Sequence, residues 1–238
     1  MKKGFIIAID GPVASGKGTI AKKLAQRINA LNFNSGGVYR AYAYVLLQKG
    51  IDSLENIDLS SHLDPESVTL RLTTENDGFD ILLDGEVITS QLTTPQISMA
   101  ASSFSQKKEF VELMNTVLRK NVTFHASQGR GMIMEGRQIG SVVFPDADIK
   151  IFLTADLPTR AKRRYDQYRT QSVAKTYQEV IHETEQRDRQ DTNREFGALP
   201  KNPQELGYFV VDNTNMDEKA TLDAIIDILQ KNKIWQQN

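Results

Sequence analysis

Residues 11–19 of the chain read Gly11-Pro12-Val13-Ala14-Ser15-Gly16-Lys17-Gly18-Thr19. The preceding residues 5–9 are apolar and rich in β-branched side chains, which is typical of a strand buried on both faces of a parallel sheet. In the segment that follows, Ile20, Leu24 and Ile28 recur every four residues and predict a helix with one apolar face. A strand, a glycine-rich loop and a helix in this order indicate a phosphate-binding loop, or P-loop.

The backbone of this loop explains what it can bind. Glycine reaches positive φ without steric cost, so Gly11, Gly16 and Gly18 allow backbone N–H groups to surround a polyphosphate at the positive end of the following helix. Lys17 can reach the β and γ phosphates, and the hydroxyl of Thr19 can ligate Mg²⁺. The whole loop is therefore predicted to bind ATP, with Thr19 as a metal ligand. The alternative is a surface turn without a ligand.

Composition limits the class of protein. The 238 residues, 39% of them hydrophobic, suffice for one large domain or two small ones, and no apolar run approaches a membrane span in length. A formal net charge of -1 without long blocks of one sign argues against general nucleic-acid binding. The absence of cysteine excludes disulfides and thiolate chemistry. With no signal peptide recognisable, we expect a cytoplasmic monomer that binds neither nucleic acid nor membrane.

Predicted strands and helices alternate through most of the chain. Further buried strands are predicted at residues 132–134, 149–153 and 209–212. Helices are predicted from near Val38 to Gly50, over most of 96–127, after Pro158, from about 178 to 194, and near the C-terminal end. Turns at Asn76-Asp77-Gly78 and Asp84-Gly85 separate short strands over 68–88, which predicts an antiparallel meander. The pattern indicates an α/β fold, with a parallel sheet flanked by helices and a β insertion.

Polar residues stand where predicted strands end. Ser35 precedes the helix expected near Val38, and Arg40 lies in its first turns; residue type alone favours an N-cap for Ser35 and a solvated face for Arg40. Glu135 ends a strand, where an acidic partner of Mg²⁺ is usual near a P-loop, and Arg137 follows where a loop leaves the sheet. The alternative for Glu135 is a surface carboxylate.

A charged pattern follows in the segment from about residue 178 to 194. Arg187, Asp191 and Arg194 are spaced by four and three residues, which places them on one face of a helix. Two guanidiniums held by a carboxylate between them suit bidentate contacts to phosphate. The alternative is a solvated charged face with intrahelical ion pairs.

Taken together, these stretches resemble bacterial cytidylate kinases over essentially the whole chain. The motifs that carry the resemblance are, in chain order, Ile9-Asp10-Gly11-Pro12 with Gly16-Lys17-Gly18-Thr19, Ser35-Gly36-Gly37-Val38-Tyr39-Arg40, Gly136-Arg137 with Gly140, residues 142–147 and 150–153, and Arg187-Asp188 followed by Asp191, Asn193 and Arg194. The resemblance implies one P-loop kinase domain with a core (about 1–34, 128–155 and 205–238), a β-containing monophosphate-binding region (about 35–127) and a helical lid (about 156–204).

The resemblance also implies an activity and its residues. The chain would transfer the γ-phosphoryl of ATP, with Mg²⁺, to a nucleoside monophosphate, CMP or dCMP being favoured. Positive charge for catalysis would come from Lys17, Arg137, Arg187 and Arg194. The acceptor site would contain Ser35, Arg40, Arg137, Gln138, Arg187, Asp191 and Arg194. Glu135 would act on the metal indirectly, and the basic residues 160–164 would begin the lid.

Of the positions that depart from the family pattern, three concern the acceptor's base. Gln138 replaces an aspartate that helps to recognise cytosine, and Met99 replaces a small polar residue. Glu109 is the nearest candidate for a family arginine that faces the base. Base specificity therefore stays open. The alternatives are a kinase with a different acceptor and a P-loop nucleotide-binding regulator without transfer activity.

Overall fold

The computed structural model describes residues 4–73 and 78–235. Within them the strands are β1 (Ile6–Asp10), β2 (Leu31–Asn34), β3 (Val68–Leu72), β4 (Phe79–Leu83), β5 (Glu86–Val87), β6 (Met132–Gly136), β7 (Ile149–Thr154) and β8 (Phe209–Asp212). The α-helices are α1 (Lys17–Ile28), α2 (Ser35–Gln48), α3 (Pro95–Phe104), α4 (Lys108–Ser127), α5 (Leu157–Thr170), α6 (Tyr177–Thr192) and α7 (Glu218–Lys231). No helix in these two ranges combines the length and hydropathy needed to cross a bilayer.

A parallel five-stranded sheet organises the chain, as predicted. The strand order is β2-β6-β1-β7-β8, with β1 at the centre. The register pairs Ile9 with Glu135 and Asp10 with Gly136, so the segments that follow β1 and β6 leave the same edge of the sheet side by side. In open α/β sheets, ligands bind outside this carboxyl edge.

The alternation of side chains along each strand supplies a separate core to each face of the sheet. On one face, Ile7 and Ile9 of β1 pack with the apolar stripe of α1 and with Leu229 of α7. On the other face, Met132 and Met134 of β6 pack with α2 and α4. Both faces are therefore covered by helices, which explains why the predicted strands read as continuous apolar runs.

The predicted β meander is confirmed as a small antiparallel sheet of order β3-β4-β5. Its second turn contains Asp84 and Gly85 at φ 49° and 87°, the backbone that Asp-Gly hairpin turns require. The first predicted turn falls mainly on Asn76 and Asp77, which lie outside the described residues. The sheet packs against α2, where a Cβ at Gly37 would lie 2.7 Å from Ile81 Cδ1.

Two helices begin earlier than predicted. Helix α2 begins at Ser35 rather than near Val38, because the Asn34 side chain caps it by accepting from the Gly37 N–H at 3.2 Å. Helix α5 begins at Leu157, one residue before Pro158, because proline is tolerated in a first turn whose N–H groups have no intrahelical partner. Helix α6 ends at Thr192, so Arg194 lies beyond the helix.

Candidate active site

A cleft of about 750 Å³ opens at the carboxyl edge of the sheet. Its walls come from the P-loop, α2, α3, the segment after β6, and the helices α5 and α6. The cleft is lined by nine of the predicted site residues: Val13, Lys17, Ser35, Arg40, Glu135, Arg137, Gln138, Arg187 and Arg194. The structure therefore brings together side chains that are distributed over most of the sequence.

The P-loop has the backbone conformation that anion binding needs. Ala14 and Gly16 have positive φ, at 56° and 87°. Helix α1 has no side-chain cap at its N-terminus, which leaves its first N–H groups available to an anion. At Gly11, a Cβ would lie 2.1 Å from the carbonyl oxygen of Leu153, so only glycine fits there.

Lys17 is buried between the P-loop and the cleft. Its Nζ donates to the carbonyl oxygen of Pro12 at 3.0 Å. Burial, reinforced by the positive charge of Arg137, lowers the pKa of Lys17 to about 7. A polyphosphate in the loop would favour the charged form and raise this pKa again. The site therefore holds a lysine whose charge is costly until an anion arrives.

Glu135 fills the space that an ordinary P-loop gives to a side chain after the lysine. A Cβ at Gly18 would lie 3.1 Å from Glu135 Oε1, a close contact that glycine avoids. Asn34 Nδ2 donates to the same oxygen at 2.7 Å, and burial raises the pKa of Glu135. Glu135 is only 8% exposed, so the surface-carboxylate alternative is wrong.

The chemistry of this edge suits Mg²⁺ carried in by a nucleotide. Among the described residues, no three carboxylate or histidine side chains come together to hold a metal. Mg²⁺ in kinases is bound by one or two protein groups, substrate phosphates and water, so one carboxylate at the P-loop fits. Thr19 lies exposed on α1 and does not line the cleft, so the structure does not bring it together with Glu135 there.

Ser35 and Arg40 occupy the start of α2 in the cleft wall. Ser35 Oγ donates to the carbonyl oxygen of Glu135 at 2.7 Å. Asn34, not Ser35, is the N-cap of the helix, so the capping alternative for Ser35 is wrong. Arg40 is half-buried and faces the cleft, so a solvated face does not describe it either.

Three arginines converge on the fully buried carboxylate of Asp191. Arg137 Nε donates to Oδ2 at 2.6 Å, while Arg187 Nε and Arg194 Nη2 donate to Oδ1 at 3.2 and 2.5 Å. Burial alone would raise the pKa of Asp191, but the three guanidiniums together lower it. The solvated-face alternative is therefore wrong. The predicted single helical face is also wrong for Arg194, which reaches Asp191 from the segment after α6.

The three departures from the family pattern fall in different places. Gln138 is 6% exposed, and its Nε2 donates to the Tyr39 hydroxyl at 3.1 Å and to Asn115 Oδ1 at 3.2 Å. Met99 lines the cleft with 72% of its surface exposed. Glu109 is exposed and does not line the cleft; the α4 side chain that reaches Gln138 is Asn115. Asn115 could not be singled out from residue type, since a polar residue on a helix is usually solvated.

The basic segment of α5 is anchored rather than free. Arg160 is buried, forms a bidentate pair with Asp188 at 3.0 and 2.6 Å, and donates to the Val13 carbonyl oxygen at 3.2 Å. Arg163 donates to Asn213, whose Nδ2 donates to the Ser15 carbonyl oxygen at 3.1 Å. The two arginines thus connect α5 to the P-loop backbone, Arg160 directly and Arg163 through Asn213.

Asp10 is a site residue to which the sequence assigned no role. It is fully buried at the end of β1 and accepts from the N–H groups of Ile139 and Gly140 at 2.9 and 2.8 Å and from the Tyr208 hydroxyl at 2.6 Å. Burial raises the pKa of Asp10, and the hydrogen bond from the Tyr208 hydroxyl is the largest of the effects that lower it. Asp10 thereby holds the segment that carries Gln138 against the P-loop strand.

We expect Tyr208→Phe to lower the free energy of unfolding by about 1–3 kcal/mol, because a buried carboxylate loses one of its hydrogen bonds. Urea denaturation measures the change. Tyr165→Phe is the matched control, since the Tyr165 ring packs on Tyr177 and no hydrogen bond of its hydroxyl occurs within the described part of the chain. Equal stability of the two variants would contradict the anchoring role of Asp10.

Comparison with known proteins identifies the family. A family model described as "Cytidylate kinase" matches residues 7–231. The cytidylate kinase of Caldanaerobacter subterraneus subsp. tengcongensis is 34% identical over 226 residues, which cover 95% of each chain. The cytidylate kinase of Caldicellulosiruptor saccharolyticus is 34% identical over 231 residues, covering 97% of each.

A solved structure shares the fold. The crystal structure of an uncharacterized protein from Eubacterium ventriosum aligns over 96% of this chain and 99% of its own, with a TM-score of 0.54 at 15% identity. That likeness concerns the fold alone. The family match and the two relatives cover nearly the whole length, from the P-loop strand to α7. The chain therefore belongs to the cytidylate kinase family.

Proposed function

We propose that the chain transfers the γ-phosphoryl group of ATP to CMP or dCMP. The observation that carries the proposal is the composition of one cleft, which is lined by Val13 and Lys17 of the P-loop and by Arg137, Arg187 and Arg194. Membership of the cytidylate kinase family supports it. Two phosphorylated molecules, one bound at the P-loop and the other at the arginines, would meet with their phosphates end to end.

The reaction needs alignment and positive charge more than a general base. The nucleophile is an oxygen of the acceptor phosphate, whose second pKa of about 6 leaves it largely deprotonated at neutral pH. None of the three histidines lines the cleft, which agrees with this chemistry. Lys17 and the arginines around Asp191 would stabilise the charge on the transferred group and hold the two substrates in line.

The chain's own residues would also exclude water and orient the metal. Arg160 and Arg163 hold α5 against the P-loop backbone, so α5 and α6 would cover the bound phosphates and limit ATP hydrolysis. We propose that Glu135, directly or through water, holds Mg²⁺, without Thr19, which is exposed on α1 outside the cleft. Bound Mg²⁺ would neutralise charge on the β and γ phosphates.

Other properties stay predictions. A monomeric state, a cytoplasmic location and the boundaries of the core, the monophosphate-binding region and the lid are expected from the sequence. The two other functions considered, a kinase for another acceptor and a P-loop regulator without transfer activity, have no observation in their favour.

The test is a panel of acceptors. The protein is incubated with ATP, Mg²⁺ and each of CMP, dCMP, UMP, AMP and GMP, and the products are separated by ion-exchange chromatography. We expect CDP and dCDP to form fastest. ATP binding without any diphosphate product from the whole panel would refute the proposal, and a faster reaction with another acceptor would reassign the substrate.

A further inference from the structure

We propose that Asn213 is a positioning residue that holds the P-loop in its anion-binding conformation before ATP arrives. This role rests on the proposed function and deepens it, because the same loop would bind the phosphates of ATP. Asn213 is buried directly after β8 and lies 198 residues from the loop residue that it contacts. Residue type alone assigns it no role, since asparagine after a strand is typical of an ordinary turn.

The peptide groups of the P-loop have to point in a particular direction to bind an anion. Ala14 and Gly16 have positive φ, at 56° and 87°, a conformation in which successive backbone N–H groups form a concave anion site. In a trans peptide, the N–H and the carbonyl of the same unit point in opposite directions. The N–H groups of Ala14 and Gly16 can therefore face a phosphate only if the carbonyl groups of Val13 and Ser15 point away from it.

Side chains from outside the loop hold both of these carbonyl groups. Arg160 Nη1 donates to the Val13 carbonyl oxygen at 3.2 Å, and Asn213 Nδ2 donates to the Ser15 carbonyl oxygen at 3.1 Å. A Cβ at Gly16 would lie 3.8 Å from Asn213 Nδ2, so the amide packs directly against the loop. Each bond fixes a peptide plane whose opposite end would present an N–H group to the phosphate.

The partners of Asn213 fix the orientation of its amide. The guanidinium of Arg163 can only donate, and its Nη1 donates to Asn213 Oδ1 at 3.0 Å. The Ser15 carbonyl can only accept, so turning the amide by about 180° would break both bonds. The backbone is held as well, because the Asn213 N–H donates to the Thr154 carbonyl oxygen at 2.8 Å and the Asn213 carbonyl oxygen accepts from Arg163 Nη2 at 2.9 Å. Asn213 therefore gives the loop a rigid support.

Loss of this support has a selective consequence for ATP. Without a donor for its carbonyl, the peptide between Ser15 and Gly16 can turn, and a smaller fraction of the protein has the N–H group directed at the phosphate site. The apparent Kd for ATP rises in proportion as that fraction falls. Bound ATP would itself restore the orientation, so kcat should change little. The acceptor site at the arginines around Asp191 should be unaffected.

The experiment measures, by calorimetry, the Kd for AMP-PNP, a non-hydrolysable ATP analogue, with Mg²⁺, and separately the Kd for CMP. Asn213→Ala removes the amide and should raise the Kd for the analogue by about tenfold, because a buried carbonyl loses its donor. Asn213→Asp keeps an acceptor for Arg163 but loses the donor to Ser15, so it should raise this Kd at least as much. Both variants should keep the Kd for CMP, and kcat at saturating ATP, close to the wild-type values.

Asn232→Asp is the matched control. Asn232 Nδ2 also donates to a backbone carbonyl oxygen, that of Ile228 at 2.8 Å, but Asn232 lies exposed at the end of α7. The variant should leave both Kd values unchanged. Asn213→Ser, whose side chain is too short for the bond to Ser15, replaces Asn213→Ala if that variant does not fold.

Three results would overturn the positioning role. Wild-type affinity for the analogue in Asn213→Ala would leave only a charge effect in Asn213→Asp, and wild-type affinity in Asn213→Asp would place the role at Arg163. Equal losses for the analogue and for CMP would indicate a general structural effect. The proposed function fails separately, if wild type binds the analogue but phosphorylates no nucleotide, and the comparison of Kd values then still decides the role of Asn213.

Discussion

Lys17→Met is expected to lower kcat/KM by at least about 10²–10³-fold and, at the same time, to raise the free energy of unfolding. The activity falls because the variant loses the charge that would contact the transferred phosphoryl group. The stability rises because the wild-type fold buries an ammonium group whose only hydrogen-bond acceptor among the described residues is the Pro12 carbonyl oxygen. Methionine has a similar length and no charge to desolvate, so we expect a gain of about 1 kcal/mol or more at pH 6.5.

The pH dependence of this gain has a defined sign. The folded-state pKa of Lys17, about 7, lies below its ordinary value of 10.5. Between these values the unfolded chain binds more protons than the folded one, so the destabilisation by Lys17 shrinks as the pH rises. The difference in free energy of unfolding between Lys17→Met and wild type should therefore be largest below pH 7 and should disappear toward about pH 10.

Lys22 provides a matched control, since it lies exposed on the same helix. Lys22→Met should change the free energy of unfolding by less than about 0.5 kcal/mol and leave kcat/KM intact. Urea titrations at several pH values and initial rates with CMP measure both quantities. A Lys17→Met variant that loses stability together with activity would show that Lys17 is a structural residue whose burial costs little.

Local patterns explain why much of the fold could be predicted. The P-loop, its strand and its helix lie next to one another in sequence, so their signals reinforce each other. The meander was predicted from Asp84-Gly85 and the alternating residues beside it, and this pattern again involves only residues that are close together in sequence. The errors were at boundaries: the start of α2 depends on the side chain of Asn34, whose capping role is not distinguishable from that of Ser35 by residue type.

Contacts between distant segments explain what was missed. Asp191 is bonded to Arg137, which lies 54 residues earlier, and the sequence pattern indicated only its near neighbours Arg187 and Arg194. Gln138 and Asn115 are 23 residues apart and meet because α4 packs beside β6. Periodicity identifies the faces of a helix, but it does not show which buried polar groups will pair across elements. The pairing of the charged groups around Asp191 could therefore be assigned only from the fold.

Asp191→Asn is expected to lower the free energy of unfolding by about 3–5 kcal/mol and to raise KM for CMP, because three guanidiniums lose the buried carboxylate that holds them. Asparagine has nearly the same size, so a cavity contributes little. Asp166→Asn is the control: its ion pair with Lys162 is exposed and should contribute less than about 1 kcal/mol.

The pH dependence supplies an independent check on Asp191. Because its folded-state pKa is lowered, its stabilisation is complete above the unfolded value of about 3.9 and is lost as the pH falls through the folded value. The stability difference between wild type and Asp191→Asn should therefore be constant near neutral pH and should narrow below about pH 4. Sulfate should stabilise the variant more than wild type, since an anion can replace the missing negative charge among the arginines. A stability difference between wild type and Asp191→Asn that is small at neutral pH, or unaffected by acid and by sulfate, would mean that Asp191 does not hold the three arginines in place.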